Sequence, residues 1–191
     1  MTQKTLFEEI LNEAAAFKSR LTTESNLDLL ESALHASIAP FDVGCPESLD
    51  SRCVGIGLYY LEAKFPFSRY TELEDFGDRW GRIRAKDVPP AMPRYYPQRA
   101  KMHKEKLTNG EYLPFYLGKR LDIKDRLKGH IIGGGESKTY SLKLQSRPEI
   151  IKGIDFRFGF LPIPVHEHGY FCVALLEHAI RDRINPIIGK Q

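Results

Sequence analysis

Apolar positions at helical spacing open the chain. Leu6, Ile10, Leu11, Ala14, Phe17 and Leu21 recur every three or four residues and predict an amphipathic helix over 5–21. Thr5, with Glu8 three residues on, predicts a capping box at its start. Leu27, Leu30, Leu34 and Ile38 predict a second helix over 25–38, and Pro40, Gly44 and Pro46 turn the chain out of it. The stretch 53–62, CVGIGLYYLE, is short, apolar and aromatic, the pattern of a buried strand. Residues 63–111 hold Pro66, Pro89, Pro90, Pro93 and Pro97 and predict a long irregular insert. A second strand follows at 112–118, YLPFYLG, then a helix over 122–131 that Gly133–Gly135 break, then a short helix within 139–151. Ile154, Phe156, Phe158 and Phe160 alternate along 153–161 and predict a strand that Pro162 and Pro164 stop. A final helix spans 169–184 and ends near Asn185-Pro186.

That order predicts an α+β fold: a small mixed three-stranded sheet flanked by helices, with a long insert between the first two core strands. Residues 1–191 form one domain, made of an N-terminal helical region (1–50), the insert (63–111) and a core (53–62 and 112–188). The apolar faces of the N-terminal helices are expected to cover the sheet and to supply some dimer contact.

Composition changes this picture little, because 42% apolar and 28% charged residues are ordinary for a globular domain. No apolar run approaches the roughly 20 residues of a membrane span. The first 18 residues lack the basic start and apolar stretch of a signal peptide, so a cytoplasmic location is expected. Cys45, Cys53 and Cys172 are odd in number and irregularly spaced, which suits reduced thiols.

Charge changes it more. Residues 1–78 carry 6 Lys+Arg against 14 Asp+Glu, whereas residues 79–130 carry 14 against 5. An acidic start before a strongly basic middle points to a polyanion partner for the middle, or to a solvated basic surface.

Hydrolysing a phosphodiester needs an oriented water, a cation for the charge growing on phosphorus, and help for the leaving oxygen. The chain carries residue types suited to those tasks. Gly57-Leu58-Tyr59 sits on the first strand and Tyr116-Leu117-Gly118, followed by Lys119, on the second. Arg126 and His130 stand at i and i+4, one face of a helix, and Glu177 lies in the otherwise apolar first part of the last helix.

With these elements the sequence resembles the GIY-YIG nuclease superfamily. GLY at 57–59 is similar to the GIY element, YLG at 116–118 to the YIG element, and YLGKRLDIKDRLKGH to the segment leading to the family's catalytic Arg. The resemblance spans 53–62 and 112–188, and the gap between the two tyrosine motifs is far longer than the family's usual hairpin. It implies that Tyr59 positions or deprotonates water, and that Tyr116 and His130 share the base role or bind the scissile phosphate. Arg126 would bind that phosphate, Lys119 would add a second phosphate contact, and Glu177 would hold one Mg²⁺ or Mn²⁺ ion per site. Tyr60, next to Tyr59, faces the other side of the strand and reads as packing.

The text GIGLY and LPFYLGK resembles the type II restriction endonuclease branch. That branch implies a prokaryotic cytoplasmic enzyme that cuts double-stranded DNA at a palindromic site. It further implies a homodimer on DNA, or else sequential nicking by a monomer, with no membrane partner and room for a separately acting DNA methyltransferase. Recognition is then expected within the basic insert, from Arg82, Arg84, Arg94, Arg99 and Lys101. Two alternatives stay open: a structure-specific repair or mobile-element nuclease, and a DNA-binding protein that keeps the fold without cutting. His166, Glu167 and His168 lack the i, i+4 helical spacing of zinc hydrolases, and Gly133–Gly135 match no phosphate-binding loop.

Overall fold

A computed structural model describes residues 3–45, 53, 55–82, 93–121, 141–166 and 169–189. The elements run α1 (Gln3–Leu21), α2 (Glu24–Ala36), β1 (Ala39–Phe41), β2 (Gly57–Lys64), α3 (Tyr70–Arg82), β3 (Arg94–Tyr95), α4 (Pro97–Met102) and α5 (Lys104–Thr108). They continue with β4 (Leu113–Arg120), a 3₁₀ turn (Leu144–Ser146), α6 (Pro148–Ile151), β5 (Asp155–Pro162), α7 (Tyr170–Ile184) and β6 (Ile188–Gly189). The helix predicted over 122–131 and the glycine run at 133–135 lie outside the described residues.

The fold is α+β, but the sheet departs from expectation. It has four strands, ordered β1-β5-β2-β4, and every pairing is antiparallel, where three mixed strands were predicted. The extra strand, β1, is short and contains Pro40. Proline is tolerated on an edge strand, where a lost N–H need not break a ladder. The first core strand begins at Gly57, four residues later than its apolar run suggests.

Strand alternation sorts the core into two layers. Tyr59, Leu61 and Ala63 of β2, Tyr116 of β4 and Phe156, Phe158 and Phe160 of β5 share one cluster with Leu73, Phe76 and Trp80 of α3. Tyr60 and Leu117 join a second cluster with Leu27 and Leu34 of α2 and Ile180 and Ile184 of α7. The helices thus cover both faces, and α7 earns its place through the buried stripe Val173, Glu177, Ile180 and Ile184.

The insert is not the irregular loop predicted. Its first half is the amphipathic helix α3, with Leu73, Phe76 and Trp80 at most 1% exposed. Its later part holds α4, which starts on Pro97, a residue preorganised for a first helical turn. A two-stranded ribbon then ties the insert to the end of α7. β3 pairs with β6, Tyr96 N–H donates to Ile187 O, and Ile187 N–H donates to Pro114 O on β4, each at 2.9 Å. Asn185 makes the turn into this ribbon with φ 49°, a left-handed cap that ends α7.

His103 adds a further tie, its Nε2 lying 2.9 Å from Asn185 O. Burial holds its pKa below the ordinary histidine value, against the pull of its backbone hydrogen bonds. A group whose folded pKa is lowered favours folding above its unfolded pKa, here the ordinary histidine value of about 6.5. That contribution is lost as pH falls through the unfolded and then the folded value. The melting temperature is therefore expected to drop between pH 7 and pH 5, and to drop less in His103→Gln. Parallel pH profiles for the two proteins would remove His103 from the account.

The N-terminal helices behave differently from each other. α2 covers the sheet as expected. α1 does not: it reaches the body through Phe17, whose ring centroid lies 5.8 Å from that of Phe171 on α7. Residues 7–16 of α1 are exposed throughout. The helix starts at Gln3, which places Thr5 inside it and displaces the predicted capping box.

Candidate active site

Two neighbouring strands build the tyrosine half of the site. Tyr59 of β2 pairs with Gly118 of β4, and Leu61 pairs with Tyr116. The two tyrosines are diagonal neighbours on one face, and their ring centroids are 6.0 Å apart at 34°. Tyr59 lies across Gly118 so closely that a Cβ there would stand 2.4 Å from the phenolic oxygen. Any larger residue at 118 would push the Tyr59 ring away, so glycine sets where that hydroxyl sits. Both tyrosines are buried, at 1% and 6% exposed, and both make contacts beyond this pairing.

Tyr60 points to the other face and is fully buried there. Burial, and then the neighbouring Glu62 carboxylate, hold its phenol well above the usual tyrosine range. It keeps its proton at any ordinary pH, which agrees with its reading as packing.

The charged half of the site lies between β4 and α7. Glu177 is 5% exposed although it is a carboxylate. An unpaired charge at that depth would be costly. Lys119 Nζ meets its Oε2 and Arg181 Nη2 meets its Oε1, so both oxygens face cations. Arg181 stands one helical turn beyond Glu177, the spacing that places two side chains on one helix face. Sequence reasoning gave Arg181 no role, although the i, i+4 Glu-Arg spacing was its visible signal.

The two halves stand on opposite faces of the sheet at its β4 edge. Tyr116 and Lys119 are three positions apart on one strand, and alternation turns them to opposite sides. Lys119 shares the side of Leu117, which packs with α7. Arg126 and His130, predicted to join Tyr116, lie outside the described residues, as does Arg84.

A divalent ion can be tested against this donor set. Glu177 is a fixed, buried carboxylate, the right chemistry for a hard cation. Its two oxygens are engaged by Lys119 and Arg181, however, and no group of three or more His, Cys, Asp or Glu gathers among the described residues. The donor set is thus a single carboxylate, which could bind an ion only if Lys119 or Arg181 turned away from it.

The cations assigned to DNA contact are scattered along the insert. Arg82 ends α3, Arg94 is exposed on β3 and Lys101 is exposed on α4. Arg99 is half-buried, its guanidinium 4.6 Å above the Tyr96 ring. A second cationic pair escaped sequence reasoning. Arg147 stacks 4.3 Å over Trp80 and is 2% exposed, with burial bringing its pKa down to about 10. Lys143 is 1% exposed with φ 51°, a left-handed backbone that a lysine seldom adopts. Burial, and then the Arg147 charge, lower its pKa.

Among the described residues the cysteines are free thiols, and no helix is long and apolar enough to cross a membrane. His166 is described, whereas Glu167 and His168 are not. Comparison with protein-family models, with curated proteins and with solved structures gives no match to the chain.

Proposed function

We propose that this chain is a divalent-metal-dependent DNA endonuclease of the GIY-YIG type, working as a type II restriction enzyme on double-stranded DNA. The observation that carries the reading is the antiparallel pairing of Tyr59 with Gly118, which sets Tyr59 and Tyr116 side by side on one face. Two phenols held at one strand pair can orient a water against a phosphate lying at the end of β4. Lys119 at the same strand end would bind that phosphate around the sheet edge. Arg126 would stabilise the charge that develops on it, and His130 would share the proton with the tyrosines. Glu177 would hold one Mg²⁺ or Mn²⁺, which when bound supplies positive charge to the leaving oxygen. An incoming phosphate would compete with Glu177 for Lys119 and Arg181, freeing carboxylate oxygens as it arrives. A homodimer would cut both strands of a palindrome together, where a monomer would nick them in turn, and the basic insert would be the DNA-facing segment.

A second reading has one specific observation in its favour. Because Glu177 is already neutralised by two cations, it can serve as a buried structural ion pair in a DNA-binding protein that does not cut.

One experiment separates the two. Purified protein is incubated with a fully sequenced plasmid and Mg²⁺, beside an EDTA control. Discrete, metal-dependent fragments are expected, and mapping their ends gives the site and the stagger. A smear or nicked circles would keep the nuclease but move it to the structure-specific class. DNA retained in a gel shift without any cleavage would leave the binding protein.

A further inference from the structure

Helix α1 presents an apolar face that the described residues leave largely exposed. Phe7 is 59% exposed, Ile10 51% and Leu11 66%. In proteins most helical stability comes from packing an apolar face. Among the described residues α1 gets that mainly from Phe17 against Phe171. Beside it, Ile10, Ala14, Phe17, Phe171 and Leu175 line an apolar groove of about 620 Å³ between α1 and α7. Phe171 is itself 56% exposed there. Contiguous apolar surface of this kind marks an interaction site.

The charge pattern along α1 identifies the occupant. Lys4 stands near its start, Glu8, Glu9 and Glu13 follow through its middle, and its last turn carries Lys18 and Arg20. A second α1 laid antiparallel about Ala14 sets apolar positions against apolar ones at Phe7 and Leu11 and acids near bases, with Ile10 beside Lys18. Phe7 then opposes Leu21 and Leu11 opposes Phe17, with the small Ala14 at the crossing where the helices approach closest. Glu8 and Glu9 of one copy fall beside Lys18 and Arg20 of the other. A parallel pairing would instead stack acid on acid and base on base. The antiparallel arrangement is self-complementary about a two-fold axis, the requirement for an isologous dimer.

We propose that α1 is the dimerisation helix of this protein and pairs antiparallel with α1 of a second copy, the α1–α7 groove receiving part of the apolar face. This goes beyond the homodimer implied by palindrome cutting, because it names the surface and the register. It stands whether or not the chain cuts DNA.

The test is sedimentation velocity of the full chain between 1 and 100 µM, without DNA. A dimer is expected across most of that range, loosening as salt rises. Leu11→Glu, at an exposed position, is expected to raise the dimer Kd at least tenfold while leaving the thermal unfolding of the monomer intact. Two charge variants fix the register. E8K/E9K and K18E/R20E each carry one sign of charge at both ends of the pairing and should be monomers alone. Mixed, they should form a one-to-one heterodimer. A wild-type chain that stays monomeric at 100 µM would overturn the proposal, as would a Leu11→Glu dimer of unchanged Kd or a mixture that fails to associate. Plasmid cleavage by the same samples reports separately on the nuclease reading. A dimer that never cuts would sink that reading and leave this one standing.

Discussion

Glu177→Gln is expected to lower the rate of single-turnover DNA cleavage by about 10²-fold or more while DNA binding is kept or tightened. The substitution keeps the shape of the side chain and removes its charge. Lys119 and Arg181 then face an amide that can accept from one of them, where both had a carboxylate oxygen. Losing a partner from a buried ion pair commonly costs about 3–5 kcal/mol. The value here should fall below that range, because Lys119 is 28% exposed and reaches water. Thermal unfolding of the variant shows whether it is folded, and fluorescence anisotropy on a labelled duplex gives binding. A folded Glu177→Gln that cuts at the wild-type rate would remove Glu177 from the chemistry and leave it as a structural ion pair. A Mn²⁺ titration followed by electron paramagnetic resonance reads the same carboxylate from the metal side. Binding is expected to be weak in the free protein and stronger when a DNA phosphate is present to draw off Lys119 or Arg181.

Trp80→Ala is expected to destabilise the fold by about 3–5 kcal/mol, the range for emptying a large aromatic from a core. Trp80 is 1% exposed and packs edge-on against Phe115 at a centroid distance of 5.6 Å. Its indole N–H donates to Pro93 O at 2.9 Å, and Arg147 stacks over its ring. Removing the ring opens a cavity, strips the carbonyl of Pro93 of its donor and leaves Arg147 over empty space. Chemical denaturation measures the loss. A change below about 1 kcal/mol would mean that the insert is a dispensable loop, as its prolines suggest.

These two residues also mark what the sequence made legible. The fold class, the alternating strand of Phe156, Phe158 and Phe160, and the last helix follow from periods of two and of 3.6 that burial enforces. The α3 stripe of Leu73, Phe76 and Trp80 has the same helical period, but its prolines downstream outweighed it. Pro93 and Pro97 lie at the boundaries of short elements, where proline is at home, not inside them. β1 was hidden for a related reason: Pro40 reads as a turn, yet an edge strand accepts it.

Within the site, the pairing of Tyr59 with Gly118 was not legible, because it depends on an antiparallel register where a mixed sheet was expected. The division of Tyr116 from Lys119 follows from counting positions along one strand. The burial of Lys143 and Arg147 does not follow from any local pattern. It depends on how the chain after residue 140 packs beneath Trp80, which is tertiary information.

The ribbon that closes on β4 has a consequence for how the chain folds. Residues 94–96 and Pro114 are joined through Ile187, so the edge of the sheet is completed by a segment more than 70 positions later. Contacts of such sequence separation are slow to form, because loop closure must be met before they reward it. On the ribosome, β4 would emerge with its Pro114 end open and wait for α7 and β6. During that interval an unpaired, apolar strand edge is exposed, the feature most prone to pairing with another chain. Yield of soluble protein should therefore depend on the last turn of α7 and on Ile187 more than their small share of the core suggests.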